Sequence, residues 1–224
     1  MTIHRFSRPA ILTASLLAIA MWHGGARFPA QTASKLAEPR QGLTKERKFP
    51  RQILLIRHGE KVGTTEDLHL SEAGKERAKR LPLLFEKSED RPEPLAVPDF
   101  IFSARDTKSS HRPRETVTPL ATQLKLPIDD AYRNMVSPDN PKAKGAADLR
   151  DELFKNPKYA GKTILISWHH GTMPELAQTL RATDAPRKWR DAVFDRVWKI
   201  TYDESGKATF ANLPQRLMPG DSPK

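Results

Sequence analysis

The chain has no cysteine among its 224 residues. This absence excludes disulfide bonds, zinc sites built from thiolates and a cysteine nucleophile. The sequence also lacks the periodicity of a collagen or a coiled coil, the repeated long apolar runs of a polytopic membrane protein, and any internal repeat. What remains, with 38% hydrophobic and 29% charged residues, is typical of a globular domain with a sizeable core.

Basic residues outnumber acidic residues by 38 to 27, which gives a formal net charge of +11. A nucleic-acid partner would explain such an excess, but the basic residues are scattered and few aromatic residues lie beside them. Zinc-finger and RNA-recognition signatures are also missing. A cleft for a small anionic substrate needs positive charge as well. We therefore expect no nucleic-acid partner and favour an anionic ligand.

The N-terminus has the pattern of a targeting segment. Basic residues between positions 4 and 8 precede an apolar run over residues 9–22, and small residues follow at 24–26. The run is short for a membrane span and lacks a polar face, which disfavours an amphipathic helix packed on the domain. We expect residues 1–30 to be a signal peptide or an N-terminal membrane anchor that acts through residues 9–22. The protein is then exported: periplasmic, secreted, or anchored and facing outward.

Residues 31–50 are predicted to be a polar linker and residues 51–224 a single catalytic domain. Apolar runs of strand length in the domain alternate with helical patterns. The runs cover 52–56, 99–103 and 163–168, and the helical patterns cover 71–85, 114–124, 145–154 and 173–181. A two-residue alternation on both sides of Gly206 indicates a hairpin near the end of the chain. The prediction is a three-layer α/β/α sandwich with a mostly parallel sheet, flanking helices and a C-terminal β-hairpin.

Histidine and arginine collect where the predicted strands end. Arg57 and His58 follow the first run, His169 and His170 follow the third, and the second leads into a basic segment that contains Arg112. The carboxyl ends of parallel strands meet at one edge of a sheet, where ligands bind in folds of this class. A charged cluster cannot be buried there without a partner. A phosphate dianion is the obvious partner.

These residue types suit phosphoryl transfer. An imidazole nitrogen is a competent nucleophile near neutral pH, and a guanidinium presents a planar fork that matches phosphate oxygens. Phosphoryl transfer needs mainly positioning and charge stabilisation. Arg57 beside His58, with Arg112 and His170 from other strands, supplies both the imidazole and the guanidinium groups. Gly59 and Gly171, which each follow a histidine, are expected to let the backbone approach the phosphate.

Four segments in the same order resemble the histidine phosphatase superfamily, which has a phosphoglycerate mutase-like fold. Residues 57–60 (RHGE) resemble its RHG signature, 70–74 (LSEAG) its L-S/T-x-x-G helix start, 112–116 (RPRET) its R-x-x-Q/E-T helix start, and 164–171 (ILISWHHG) its strand ending in HG. The resemblance covers residues from about 52 to 181. It implies a metal-independent phosphatase that needs no cofactor and acts on a small phosphorylated substrate or a phosphoprotein.

The same resemblance implies roles for particular residues. His58 is the expected nucleophile, Arg57 and Arg112 the phosphate ligands, and His170 the second catalytic histidine. His169 competes for that last role. Neighbouring strand residues point to opposite faces, so we expect only one of the pair to face the phosphate. His170 directly precedes the glycine, as in the family motif, and is favoured.

The leaving-group acid is not evident. Members that cleave alkyl phosphates usually carry a glutamate after the R-x-x-Q/E-T helix, and residues 127–134 contain no clear match. Asp129 or Asp130 is a candidate for this role, against the alternative of ordinary surface aspartates.

Other functions remain open at this point. A phosphoglycerate-type phosphomutase is one. Such mutases resemble one another in an RHGES segment followed closely by Trp-Asn, whereas this chain continues after RHGE with Lys61-Val62-Gly63. A phosphate-binding module with weakened catalysis is another. A metal-dependent hydrolase could use the histidines, but the carboxylates lack ligand spacing.

Overall fold

The computed structural model describes residues 47–63, 68–89, 91–136, 139–140 and 142–222. They lie in the second of two compact units, Thr44–Lys224. The predicted signal or anchor segment and residues 31–46 of the predicted linker lie outside the described residues. No helix within the described part is long and apolar enough to cross a membrane.

All six strands of the described residues form one sheet in the order β3-β2-β4-β1-β5-β6. The strands are β1 Gln52–Arg57, β2 Phe100–Ala104, β3 Ile128–Tyr132, β4 Thr163–Trp168, β5 Arg196–Tyr202 and β6 Ala208–Pro214. The first four in this order are parallel, whereas β5 is antiparallel to both β1 and β6. The predicted mostly parallel sheet with a C-terminal hairpin is therefore confirmed.

Helices cover both faces of the sheet. They are α1 Glu72–Arg80, α2 Arg112–Leu124, α3 Ala146–Lys155 and α4 Met173–Thr179, with short 3-10 helices at Leu81–Phe85 and Pro157–Tyr159. Side chains alternate along β1, so Leu54 packs in a core cluster with Val117 of α2, and Leu55 in another with Leu176 of α4. These two cores give the predicted three layers.

The central strands β1 and β4 are buried at every position. Strands covered on both faces have continuous apolar runs, which is why the sequence identified them directly. Their register places Arg57 beside Trp168. The backbone N–H of His58 then donates to the Trp168 carbonyl at 3.0 Å. The ends of these two strands therefore hold the segments that follow them side by side.

Strand β3 is the element that the sequence pattern missed. It pairs with β2 at the edge of the sheet and contains Asp129 and Asp130. Aspartate is depleted in strands, and an edge strand needs only one neighbour and leaves part of its surface in solvent. The sheet therefore has four parallel strands where the pattern predicted three.

Candidate active site

His58 has a defined tautomer in this structure. Its side chain is buried, and Nδ1 lies 2.7 Å from the carbonyl oxygen of Gly59. A carbonyl oxygen only accepts hydrogen bonds, so Nδ1 carries the proton and Nε2 keeps a free lone pair. Burial lowers the pKa of His58 to about 2, and the nearby charges of Arg57 and Arg112 act in the same direction. The imidazole is therefore neutral at ordinary pH, with its free lone pair on Nε2.

Arg57 is held by a loop far away in the sequence. Its Nη1 donates to the carbonyl oxygens of Asp191 at 2.5 Å and Val193 at 3.0 Å. The guanidinium also stacks 3.7 Å above the Phe194 ring, a favourable cation–π geometry. Burial lowers the pKa of Arg57 to about 10, which leaves it charged at neutral pH. Sequence reasoning missed this loop, since it acts mainly through backbone carbonyls, which carry no sequence signal.

The start of α2 is tied to the loop after β1. The Thr116 hydroxyl donates to the carbonyl of Arg112 and accepts from the Gly59 N–H, both at 2.8 Å. The carboxylate of Glu115 accepts from the Leu70 N–H at 2.9 Å. The R-x-x-Q/E-T pattern thus has a physical role here, because its last two residues connect the start of α2 to the RHGE and LSEAG segments before it.

The glycine beside His58 serves helix packing. A Cβ atom at Gly59 would lie 3.0 Å from the backbone oxygen of Gly74, and one at Gly74 would lie 2.3 Å from that of Glu60. Helix α1 therefore packs backbone to backbone against the loop after His58. Gly59 is therefore needed for this close contact, and its approach to a phosphate stays a prediction. A Cβ at Gly171 would meet nothing within 4 Å.

Arg77 also holds the loop after His58 in place. It is buried in α1 and donates to both carboxylate oxygens of Glu60, to Asp221 and to Gln215. A buried guanidinium needs such a set of acceptors to offset its desolvation. The Glu60 carboxylate therefore helps to hold the loop after His58 in place and is not an ordinary surface charge. No sequence motif pointed to Arg77.

The structure places His169, and not His170, beside His58. The His169 and His58 rings lie 5.2 Å apart in an edge-on arrangement. Burial, followed by the charge of Arg112, lowers the pKa of His169 to about 4. Nε2 of His170 instead lies 3.4 Å from the Asp191 carboxylate, and burial lowers its pKa too. The ring beside His58 is therefore that of His169, and the role of His170 at the phosphate stays a prediction.

The reason lies in where β4 ends. Alternation of side chains between two faces holds only within a strand, and β4 ends at Trp168. Beyond it the chain turns, with the Thr172 N–H donating to the His169 carbonyl at 3.2 Å. Neither alternation nor the distance to Gly171 then decides which ring faces His58.

The two candidate acids lie on β3 and have partners of their own. Asp130 accepts from Arg114 at 3.0 Å, and Asp129 accepts from the Ala131 N–H at 3.0 Å. In the described part of the chain neither carboxylate bonds to His58. The same ranges contain no cluster of three or more histidine or acidic side chains suited to a metal ion.

No family model and no curated protein matches the chain. Among solved structures, the protein histidine phosphatase SixA complexed with tungstate is 16% identical, with 73% of this chain and 97% of that chain covered and a TM-score of 0.47. A phosphoglycerate mutase from Bacillus anthracis is also 16% identical, with 74% and 94% covered and a TM-score of 0.47. A phosphoserine phosphatase mutant from Entamoeba histolytica with phosphoserine is 13% identical, with 75% and 98% covered and a TM-score of 0.49.

At such identities the similarity concerns the fold alone.

Proposed function

We propose that this protein is a metal-independent phosphatase that hydrolyses phosphate monoesters, or related phosphoryl compounds, through a phosphohistidine at His58. The observation that carries the proposal is the bond from Nδ1–H of His58 to the Gly59 carbonyl. It keeps the proton on Nδ1 and the lone pair on Nε2, and burial favours the neutral imidazole, which is the state that a nitrogen nucleophile requires.

The charge around His58 supports a phosphoryl substrate. Arg57 and Arg112 are close enough to lower the pKa of His58, so their field acts where the nucleophile lies. Two guanidinium groups favour an anion with several oxygens, and they stabilise the charge that spreads over those oxygens during transfer. Because Arg57 is already held by two carbonyls, little reorganisation is needed when phosphate binds.

The reaction has two steps. Nε2 of His58 attacks phosphorus, the bond from phosphorus to the leaving oxygen breaks, and the leaving oxygen takes up a proton from water. Water then attacks the phosphohistidine, the phosphorus–nitrogen bond breaks, and inorganic phosphate and neutral His58 are released. His169 is the second histidine of this proposal, since its ring lies against that of His58. It is neutral when the site is empty, and a bound dianion would favour its protonated form.

Trapping the intermediate tests the proposal. The protein is mixed briefly with an aryl phosphate and quenched in base, and an acid-labile phosphoryl group is expected on His58. His58→Ala should abolish turnover without unfolding the domain. Wild-type turnover by that variant would refute the mechanism, and full activity after treatment with a chelator is expected for a metal-independent reaction.

Conservative substitutions test the residues that are proposed to act on the phosphoryl group. Arg57→Lys and Arg112→Lys should each lower the rate about a hundred- to thousandfold, by analogy with oxyanion donors, because lysine lacks the fork. The loss should be similar for every substrate, since each presents the same phosphoryl group. His169→Asn should reduce turnover far more than His170→Asn, and the opposite order would restore His170 to the site.

We also propose that the domain works outside the cytoplasm. The support is the basic N-terminus followed by the apolar run over residues 9–22. Residues 1–50 fused to a reporter that is active only after export should give signal, and a reporter that stays cytoplasmic would remove this proposal.

A further inference from the structure

A cavity of about 300 Å³ lies behind the loop that holds Arg57. Its lining includes the cations Lys188, Arg190 and Arg196, together with the loop residue Val193, and none of the described residues that form its wall is acidic. The volume is at the lower end of ligand pockets, enough for a phosphate or carboxylate on a small organic group. The cavity therefore combines a ligand-sized space with positive charge.

Arg196 supplies the sharpest observation. One terminal nitrogen of its guanidinium, Nη1, is buried and has no hydrogen-bond partner among the described residues. A buried charged donor without an acceptor is costly, so natural structures almost always supply one. Nη1 itself has no access to solvent, but the positive charge of the guanidinium is shared over its three nitrogens, and no carboxylate among the described wall residues offsets it. An oxyanion in the cavity would offset that charge.

The segment from Trp189 to Val193 lines the cavity and also positions Arg57. Trp189, which lines the cavity, donates its indole N–H to the Val193 carbonyl at 2.8 Å. That carbonyl also accepts from Nη1 of Arg57 at 3.0 Å. A ligand that displaces Trp189 or Val193 by a few tenths of an ångström therefore changes the hydrogen bond that positions Arg57.

We propose that this cavity is a second anion site, distinct from His58, and that its occupancy acts on Arg57 through the Val193 carbonyl. The ligand class is a phosphate- or carboxylate-bearing small molecule that does not itself react. The coupling to Arg57 rests on the proposed function, whereas anion binding in the cavity does not.

Binding is tested on the full chain labelled with nitrogen-15, with inorganic phosphate as the probe. The indole N–H signal of Trp189, assigned by Trp189→Phe, should shift and saturate as phosphate is added. Arg196→Gln removes a charge-assisted hydrogen bond and should weaken this binding about tenfold or more. Lys199→Gln removes a positive charge from the same strand outside the cavity wall and should leave the titration unchanged.

Two results of this titration would overturn the proposed anion site. An indole signal that does not saturate, or that titrates identically in the Arg196→Gln chain, would overturn the proposed site. In the second case phosphate reaches only His58 and moves Trp189 through Arg57.

Coupling is tested by kinetics on an aryl phosphate with sulfate as the non-reacting anion. Sulfate at the His58 site competes with substrate and changes KM alone. Sulfate in the cavity should change kcat as well, and Arg196→Gln should remove the kcat effect while the KM effect remains. An unchanged kcat in the wild type would overturn the coupling. An Arg196-dependent indole shift in a protein whose His58→Ala variant keeps full activity would uphold the site and refute the phosphohistidine.

Discussion

Nδ1 of His58 lies 2.7 Å from the carbonyl oxygen of Gly59, the residue that follows it. The tautomer of His58 is thus fixed by a bond to the next residue in the chain, and no carboxylate takes part in that contact. The arrangement depends on burial, because a solvated imidazole would exchange this bond for water and titrate in the usual range. A buried neutral histidine also makes the stability of the fold depend on pH.

Stability should fall as the pH drops below 6.5. The pKa values of His58 and His169 are lowered to about 2 and about 4, whereas both histidines titrate near 6.5 when unfolded. Between these values the unfolded chain binds more protons, so acid favours unfolding. His58 alone should remove about 2 to 3 kcal/mol from the free energy of unfolding between pH 7 and pH 4.5.

Urea unfolding of the wild type and His58→Asn at both pH values measures this contribution. The variant should lose less stability on acidification than the wild type. Equal losses in the two proteins would show that His58 is not held neutral by burial.

Thr116→Val should disturb the nucleophile loop. The change leaves the Gly59 N–H without the acceptor that lies 2.8 Å away, at a cost of about 1–3 kcal/mol for a buried donor. Turnover should fall as well, because the same loop carries His58. Thr116→Ser keeps the hydroxyl and is the matched control, which should stay close to the wild type in urea unfolding and in aryl phosphatase rate. A Thr116→Val protein as stable and active as Thr116→Ser would contradict the role of this bond.

Gly74→Ala should separate helix α1 from the nucleophile loop. The added Cβ would lie 2.3 Å from the oxygen and 2.9 Å from the nitrogen of Glu60, and backbone atoms cannot rotate away. We expect a loss of about 1–3 kcal/mol in urea unfolding, the usual cost of overpacking. Gly171→Ala, where the new Cβ meets nothing within 4 Å, should change the unfolding free energy much less. Equal stabilities of the two variants would rule out the close contact.

Asp129→Asn and Asp130→Asn should affect alkyl and aryl phosphates to the same small extent. Asp130 is bound to Arg114 and Asp129 to the Ala131 N–H, so neither is directed at a leaving group beside His58. A true acid contributes about a hundredfold or more, and its loss harms alkyl esters selectively. Comparison of kcat/KM on both ester types decides the matter. A selective loss on the alkyl ester would identify the acid after all. Without one, the natural substrates should have good leaving groups, as phosphoanhydrides and phosphohistidine do.

Much of the fold could be predicted because its signals are local. The runs that became β1 and β4 are apolar at nearly every position since both faces of those strands are covered. Ser71 begins α1 as predicted, with its hydroxyl accepting from the Gly74 N–H at 3.2 Å. The position of Arg57 and His58 at the end of β1 could be predicted as well, because these two residues directly follow the apolar run.

The sequence by itself therefore determined the layers of the fold, the strand that presents His58, and the motifs around it. Only the tertiary structure decided what holds Arg57, which of His169 and His170 faces His58, and that β3 joins the sheet. The contact between Arg57 and Val193 spans 136 positions and uses a backbone carbonyl, a group that every residue has. The direction of the His169 ring depends on a turn beyond the end of β4, where strand alternation no longer applies. Such contacts arise from the folding of distant segments against one another, and no local pattern encodes them.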